Sequence, residues 1–160
     1  MKPFRVVLAG LVHDHVWRMI PDFAKIPGVK IVGGADPNKP LREKLRKEFG
    51  VTALFERPSD LFDKVEADAV MVCDSNAGGV PIVEAAAKRG LHAFVEKPMA
   101  HTAEGARKMF DAARRHRTRL MINWPLAWSE SVVRALELVK SGFIKSSLER
   151  TNLAGVEVAK

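Results

Sequence analysis

One cysteine, Cys73, stands among 160 residues, so no internal disulfide can form. It lies inside an apolar run, which fits a chain kept in a reducing compartment. Long hydrophobic runs are scarce too. Phe4 to Val12, just after the charged Lys2, is too short to span a bilayer and lacks the small-residue cleavage pattern of a secretion signal. These absences predict a soluble cytoplasmic protein with no membrane partner. No internal repeat with a period of about 20–50 residues is present, and no low-complexity segment, which excludes solenoids and linkers.

Nucleic-acid motifs are also missing, although the net charge is +7. The densest basic segment, Arg107 to Arg119, carries Ala106, Met109, Phe110 and Ala113 at helical spacing, which turns most of its charge toward water. Phe110 is its single Phe, Trp or Tyr, and no helix-turn-helix or zinc-finger pattern occurs, so no nucleic-acid partner is expected. What is present is ordinary for a globular chain: 47% hydrophobic and 28% charged residues suffice to bury one domain.

Strand and helix patterns alternate along that chain. Phe4 to Gly10 reads as a strand entering a turn, and Val16, Met19, Ile20 and Phe23 follow at helical spacing, with Pro21 expected to kink or restart the helix. Val29 to Ala35 is a second strand. Pro40 opens a helix with the stripe Leu41, Leu45 and Phe49, which Gly50 stops. Val51 to Phe55 is a third strand, followed by a brief helix over Pro58 to Val65. Ala67 to Cys73 and Leu91 to Val95 are the fourth and fifth strands, with a helix over Val80 to Arg89 between them. A helix capped by Thr102 runs to about His116, and Arg119 to Asn123 is the sixth strand. Short connections between such elements imply right-handed crossovers. The predicted fold class is therefore α/β, a doubly wound parallel sheet of the Rossmann-like, nucleotide-binding kind.

The chemistry concentrates where strands end. Pro98 forbids continuation of the fifth strand, so Glu96 and Lys97 fall at its carboxyl end, the edge on which open parallel sheets bind ligands. An acid beside an amine there can hold ribose hydroxyls and move a proton; the same pair can equally well close a strand before a loop. Gly10, Leu11, Val12 and His13 form the first turn, where a dinucleotide site places Gly-x-Gly-x-x-Gly. Only Gly10 fits that pattern, with Val12 in the second glycine position and His15 in the third. Val12 is expected to push phosphates outward. Asp36, ending the second strand, can accept hydrogen bonds from an adenosine ribose and would repel a 2′-phosphate, which favours NAD over NADP; an Asp before Pro also starts turns. His13 and His15 at i and i+2 share no helix face and have no third ligand close by in sequence, so no metal is predicted.

Taken in order, the Gly10 turn, Ala35-Asp36-Pro37, Asp74-Ser75-Asn76 and above all Val95-Glu96-Lys97-Pro98 resemble the Gfo/Idh/MocA oxidoreductases, the glucose-fructose oxidoreductase and inositol dehydrogenase family. The likeness runs from residue 4 to about 145, where Ser141-Gly142-Phe143-Ile144 resembles the start of that family's second domain. The resemblance implies that Lys97 is catalytic, assisting proton transfer from a substrate hydroxyl, and that Glu96 holds the nicotinamide ribose. It places Asp74, Ser75 and Asn76 along the cofactor, in the position of the family's Thr-Pro-Asn, and Asn123 near the nicotinamide. There are departures: Gly79 stands where a His is expected, no Arg follows Asn123 before Trp128, and Lys145 replaces a Gly after Ile144.

The resemblance further implies a division into a dinucleotide-binding domain over residues 1–125 and, over 126–160, a helix and the stub of a C-terminal domain. Substrate contacts and a catalytic Asp/His pair belong to that second domain in the family. The expectation is thus a dehydrogenase of a sugar, polyol or related hydroxy compound represented by its NAD-binding part and inactive alone. A free-standing nucleotide-binding or sensing module without turnover is one alternative, and a Rossmann-like domain that has lost its cofactor, a reading that draws on Val12 and Gly79, is another. An apolar stripe of Val132, Val133, Leu136 and Val139 on a helix capped by Ser129 needs cover, which predicts a homo-oligomer.

Overall fold

Continuous apolar runs of four or five residues bounded by turn residues are what a strand buried on both faces requires. The computed structural model, which describes residues 2–143, arranges them accordingly. Six strands, β1 (Phe4–Ala9), β2 (Val29–Ala35), β3 (Leu54–Phe55), β4 (Ala69–Val72), β5 (His92–Glu96) and β6 (Leu120–Asn123), form one sheet in the order β3-β2-β1-β4-β5-β6. Every neighbouring pair is parallel. The chain starts in the middle, winds outward to β3, and crosses back to build β4, β5 and β6. The order therefore reverses between β1 and β4.

Alternation along β1 sorts the core into two layers. Val6 and Leu8 point to the face covered by α1 (His15–Lys25) and α2 (Lys39–Phe49), and they pack with Val16, Ile20 and Leu45. Val7 and Ala9 point to the opposite face, beneath α3 (Pro58–Lys64), α4 (Gly79–Lys88) and α5 (Ala103–His116), with Leu61, Val83 and Met109. Leu45 lies so close to β2 that a Cβ at Gly34 would stand 2.5 Å from its Cδ2. Leu45 is fully buried, and truncating such a side chain to alanine costs about 2–5 kcal/mol.

Across the amino end of the sheet, Arg5 grips Asp68: Asp68 Oδ2 accepts the Arg5 backbone N–H at 2.7 Å, and Oδ1 accepts from Nη2 at 3.1 Å. Hydrogen bonds to the Arg5 guanidinium and backbone hold the Asp68 carboxyl down at about 2.

Three elements differ from the sequence expectation. α1 runs through Pro21 without restarting, because Pro21 lies on the exposed face, where water can meet the carbonyl its ring leaves without a donor. β3 shrinks to two residues, since only Leu54 and Phe55 pair with the end of β2. Ser129 does not cap the last helix with its side chain; its Oγ donates instead to Leu126 O at 2.9 Å.

The chain divides into two units, Met1–Asn123 and Trp124–Lys160. In the second, a 3-10 turn (Pro125–Trp128) leads into α6 (Glu130–Lys140), on which no residue is buried. Ile144, Lys145 and the stub beyond them lie outside the described residues. Among those described, no helix is long and apolar enough to cross a membrane.

Candidate functional site

The candidate residues gather at the carboxyl ends of the strands, on either side of the point where strand order reverses. Gly10 opens the first turn with φ +77°, and a Cβ there would stand 2.6 Å from the Cα, Cβ and N of Asp74. Its N–H donates to Ala35 O at 2.9 Å. Glycine is thus demanded by the close approach of β1 to the segment after β4, before any ligand is considered.

Leu11 turns into the core, and its N–H donates to Asp36 Oδ2 at 2.6 Å. The other carboxylate oxygen of Asp36 accepts from Asn38 N–H at 2.7 Å. With only 1% of its surface exposed, Asp36 knits the first turn to the end of β2. A carboxylate has about four acceptor positions, so these two bonds leave capacity for further donors. Val12, by contrast, is 56% exposed and projects from the turn. The N–H of His13 is tied to Cys73 O at 3.2 Å, and among the described residues the N–H groups of Val12 and Asp14 have no acceptor.

Glu96 is the polar centre of the other half. It ends β5, is 5% exposed, and sits opposite Asn123 in the parallel register of β5 and β6. Its Oε2 accepts the Lys97 N–H at 2.9 Å, and its Oε1 accepts from Asn123 Nδ2. The same Oε1 lies 3.1 Å from His15 Nδ1, so the start of α1 is fastened to the end of β5. Lys97 is half-buried at the mouth of this cluster, and the Lys97–Pro98 peptide is cis. Burial pushes the neighbouring Cys73 thiol up to about 12, with the Glu96 charge adding to the shift, so Cys73 packs as an apolar side chain.

After β4, the loop folds on itself. Asp74 Oδ1 accepts the Ser75 N–H at 2.5 Å, and Ser75 Oγ accepts from Gly78 N at 3.1 Å. Ser75 and Asn76 are exposed at the edge. Gly79 begins α4 and is buried against Met109 and Val72, facing the core.

His15 was missing from the sequence-derived set of cofactor-binding residues. Its only sequence signal is an imidazole in the third glycine position; the partner lies 81 residues away. The expectation of no metal rested on the lack of a third ligand, and here the fold supplies one: ligand atoms of His13, His15 and Glu96 all lie within 4.8 Å of one another.

A parallel sheet in this order, with a glycine turn after its first strand, a buried acid closing its second, and an acid-lysine pair at the end of its fifth, defines a dinucleotide-binding Rossmann domain. The chain belongs to the Gfo/Idh/MocA oxidoreductase family, whose NAD-binding Rossmann fold it matches over residues 4–124. Inositol 2-dehydrogenase of Agrobacterium fabrum is 37% identical over 95 residues, covering 59% of this chain and 28% of that protein. D-apiose dehydrogenase of Paraburkholderia graminis is 26% identical over 132 residues, covering 82% and 34%. The structure of scyllo-inositol dehydrogenase from Lactobacillus casei with bound NAD(H) and scyllo-inositol superposes with a TM-score of 0.84 at 22% identity, covering 91% of this chain and 43% of that one. That likeness is one of fold. The chain spans less than half the length of these relatives, 28% of the Agrobacterium enzyme and 43% of the Lactobacillus one.

Proposed function

We propose that these residues form the cofactor-binding part of an NAD-dependent dehydrogenase of a sugar, polyol or related hydroxy compound. The observation that carries this reading is the convergence of the first turn and the Glu-Lys-Pro segment on one carboxylate, Glu96. The donor set suits a dinucleotide: N–H groups of Val12 and Asp14 that have no acceptor among the described residues for phosphate oxygens, a buried carboxylate at Asp36 for a ribose diol, and Glu96 with Asn123 at the opposite end. Asp74, Ser75 and Asn76 border the space between. Bound NAD would supply the hydride acceptor.

The protein's own part is to orient and to move a proton. Lys97, half-buried and held on the strand end by its backbone bond to Glu96, is the group we assign to accept a proton from a substrate hydroxyl. Proton transfer needs the hydroxyl within hydrogen-bond reach of Nζ, and hence a surface that holds substrate there. The described residues contain no second sheet that could do so, and the isolated chain is expected to bind cofactor without turnover. Self-association through α6, where Val133 and Leu136 are exposed, belongs to the same proposal.

Tryptophan fluorescence during NADH titration tests the reading. Saturable quenching that weakens in Asn123→Ala supports it, and the absence of any NADH binding overturns it. Steady NADH production from NAD and myo-inositol by the chain alone, lost in Lys97→Ala, would show that the substrate-holding surface comes from elsewhere, such as a second copy.

A further inference from the structure

We infer that His13, His15 and Glu96 form a binding site for one divalent transition-metal ion. The cluster offers two imidazole nitrogens and one carboxylate oxygen, all within 4.8 Å of one another, from the first turn, the start of α1 and the end of β5. Two imidazoles with one carboxylate suit zinc, cobalt, nickel or iron(II); magnesium and calcium prefer all-oxygen sites. Three protein ligands would also leave a coordination position open.

A hydrogen bond between His15 and Glu96 accounts for part of this arrangement, but not for all of it. Glu96 is 5% exposed, and among the described residues its one ion pair is with His15, which balances it only when the imidazole carries a proton. A buried carboxylate without a lasting positive partner is costly, and a divalent cation would provide that charge with the imidazole neutral. His15 alone would complete the hydrogen bond. The second imidazole is the feature left over: the ring of His13 stands edge-on to that of His15, with centroids 4.5 Å apart, and neither ring is more than a third exposed.

An acidic side chain also lies near His13. Its Nδ1 lies 3.5 Å from Asp14 Oδ1, close enough for that carboxylate to orient the ring once a metal is bound. The same Nδ1 is 3.3 Å from the His15 N–H, a long bond that metal binding would exchange for the one to Asp14. On the carboxylate side, Lys97 N–H and Asn123 Nδ2 already fix the orientation of Glu96.

The test is a cobalt(II) titration of the full chain without nucleotide, so that its outcome is independent of dinucleotide binding. Visible d–d bands and calorimetry should report one ion per chain. His13→Ala, His15→Ala and Glu96→Gln should each weaken binding by about tenfold or more, while the exposed His101→Ala should leave it unchanged. Circular dichroism identifies any variant that fails to fold; the partly exposed positions 13 and 15 then decide the matter. No stoichiometric binding, or binding that His13→Ala and His15→Ala leave intact, overturns the proposal.

Discussion

His15 Nδ1 and Glu96 Oε1 meet at 3.1 Å across 81 residues of sequence, joining the helix that follows the first strand to the end of the fifth. Two segments that a nucleotide would have to bridge are therefore joined by the protein itself. His15→Ala removes the imidazole from a carboxylate that is only 5% exposed, and the cost of leaving such a group short of a partner is about 1–3 kcal/mol. Urea denaturation of the apoprotein should show that loss as a lower midpoint with an unchanged slope. A variant as stable as the parent would mean that water replaces the imidazole without penalty.

Asp36 should make NAD(H) bind more tightly than NADP(H), because a 2′-phosphate placed against a buried carboxylate is repelled. Since Asp36 also accepts the Leu11 and Asn38 N–H groups, Asp36→Ala should lower stability by about 1–3 kcal/mol, and Asp36→Asn by less. Fluorescence titration with both nucleotides separates the effects. Equal affinity of the parent for the two would take the ribose role from Asp36 and leave it the structural one.

Val12→Gly should strengthen dinucleotide binding, since it removes the side chain projecting from the first turn. The residue is more than half exposed, so the accompanying stability change should stay within about 1 kcal/mol. Unchanged or weaker binding would show that the phosphates do not pass over this turn.

The Arg5–Asp68 pair gives a pH dependence of definite sign. The folded Asp68 carboxyl is held at about 2, below its ordinary value of 3.8, so its contribution is fully present above about pH 4 and fades as pH falls toward 2. Asp68→Asn should therefore be less stable than the parent at neutral pH, with the two melting temperatures converging as pH is lowered through that window. A difference that stays constant down to pH 2 would mean that the pair adds nothing to the pH dependence.

Leu136→Asp tests self-association through α6. Val133 and Leu136 are 43% and 46% exposed on a helix with no buried residue, and sedimentation should show a concentration-dependent dimer that the variant converts to monomer. A parent chain that remains monomeric at high concentration would rule that interface out.

Much of the fold could be read from the sequence, because strands buried on both faces leave a local record. Val70, Met71 and Val72 are all buried, and their run is unbroken; Leu41, Leu45 and Phe49 mark one face of α2 at the spacing the structure uses. Misreadings fell where a neighbour or the solvent decides. Val51 to Ala53 are strand-like in composition, yet the paired register with β2 covers only Leu54 and Phe55, with a single further bond from Gly34 N–H to Ala53 O. Pro21 is tolerated because of the direction it faces, which the helical pattern does not display. In the site, Gly10, Asp36 and Glu96 were legible from their places at strand ends. The His15–Glu96 contact and the inward hydrogen bonding of Asp36 depend on pairings between distant segments, which periodicity cannot report.

The contact between Gly10 and Asp74 bears on how freely the first turn can change shape. With backbone atoms of Asp74 only 2.6 Å from where a Cβ on Gly10 would stand, the segment after β4 is the mould in which the turn is cast. Neither wall can shift alone. A ligand pressing on the turn must also displace the Asp74 segment, and a substitution after β4 can alter the shape of the turn without lying in it.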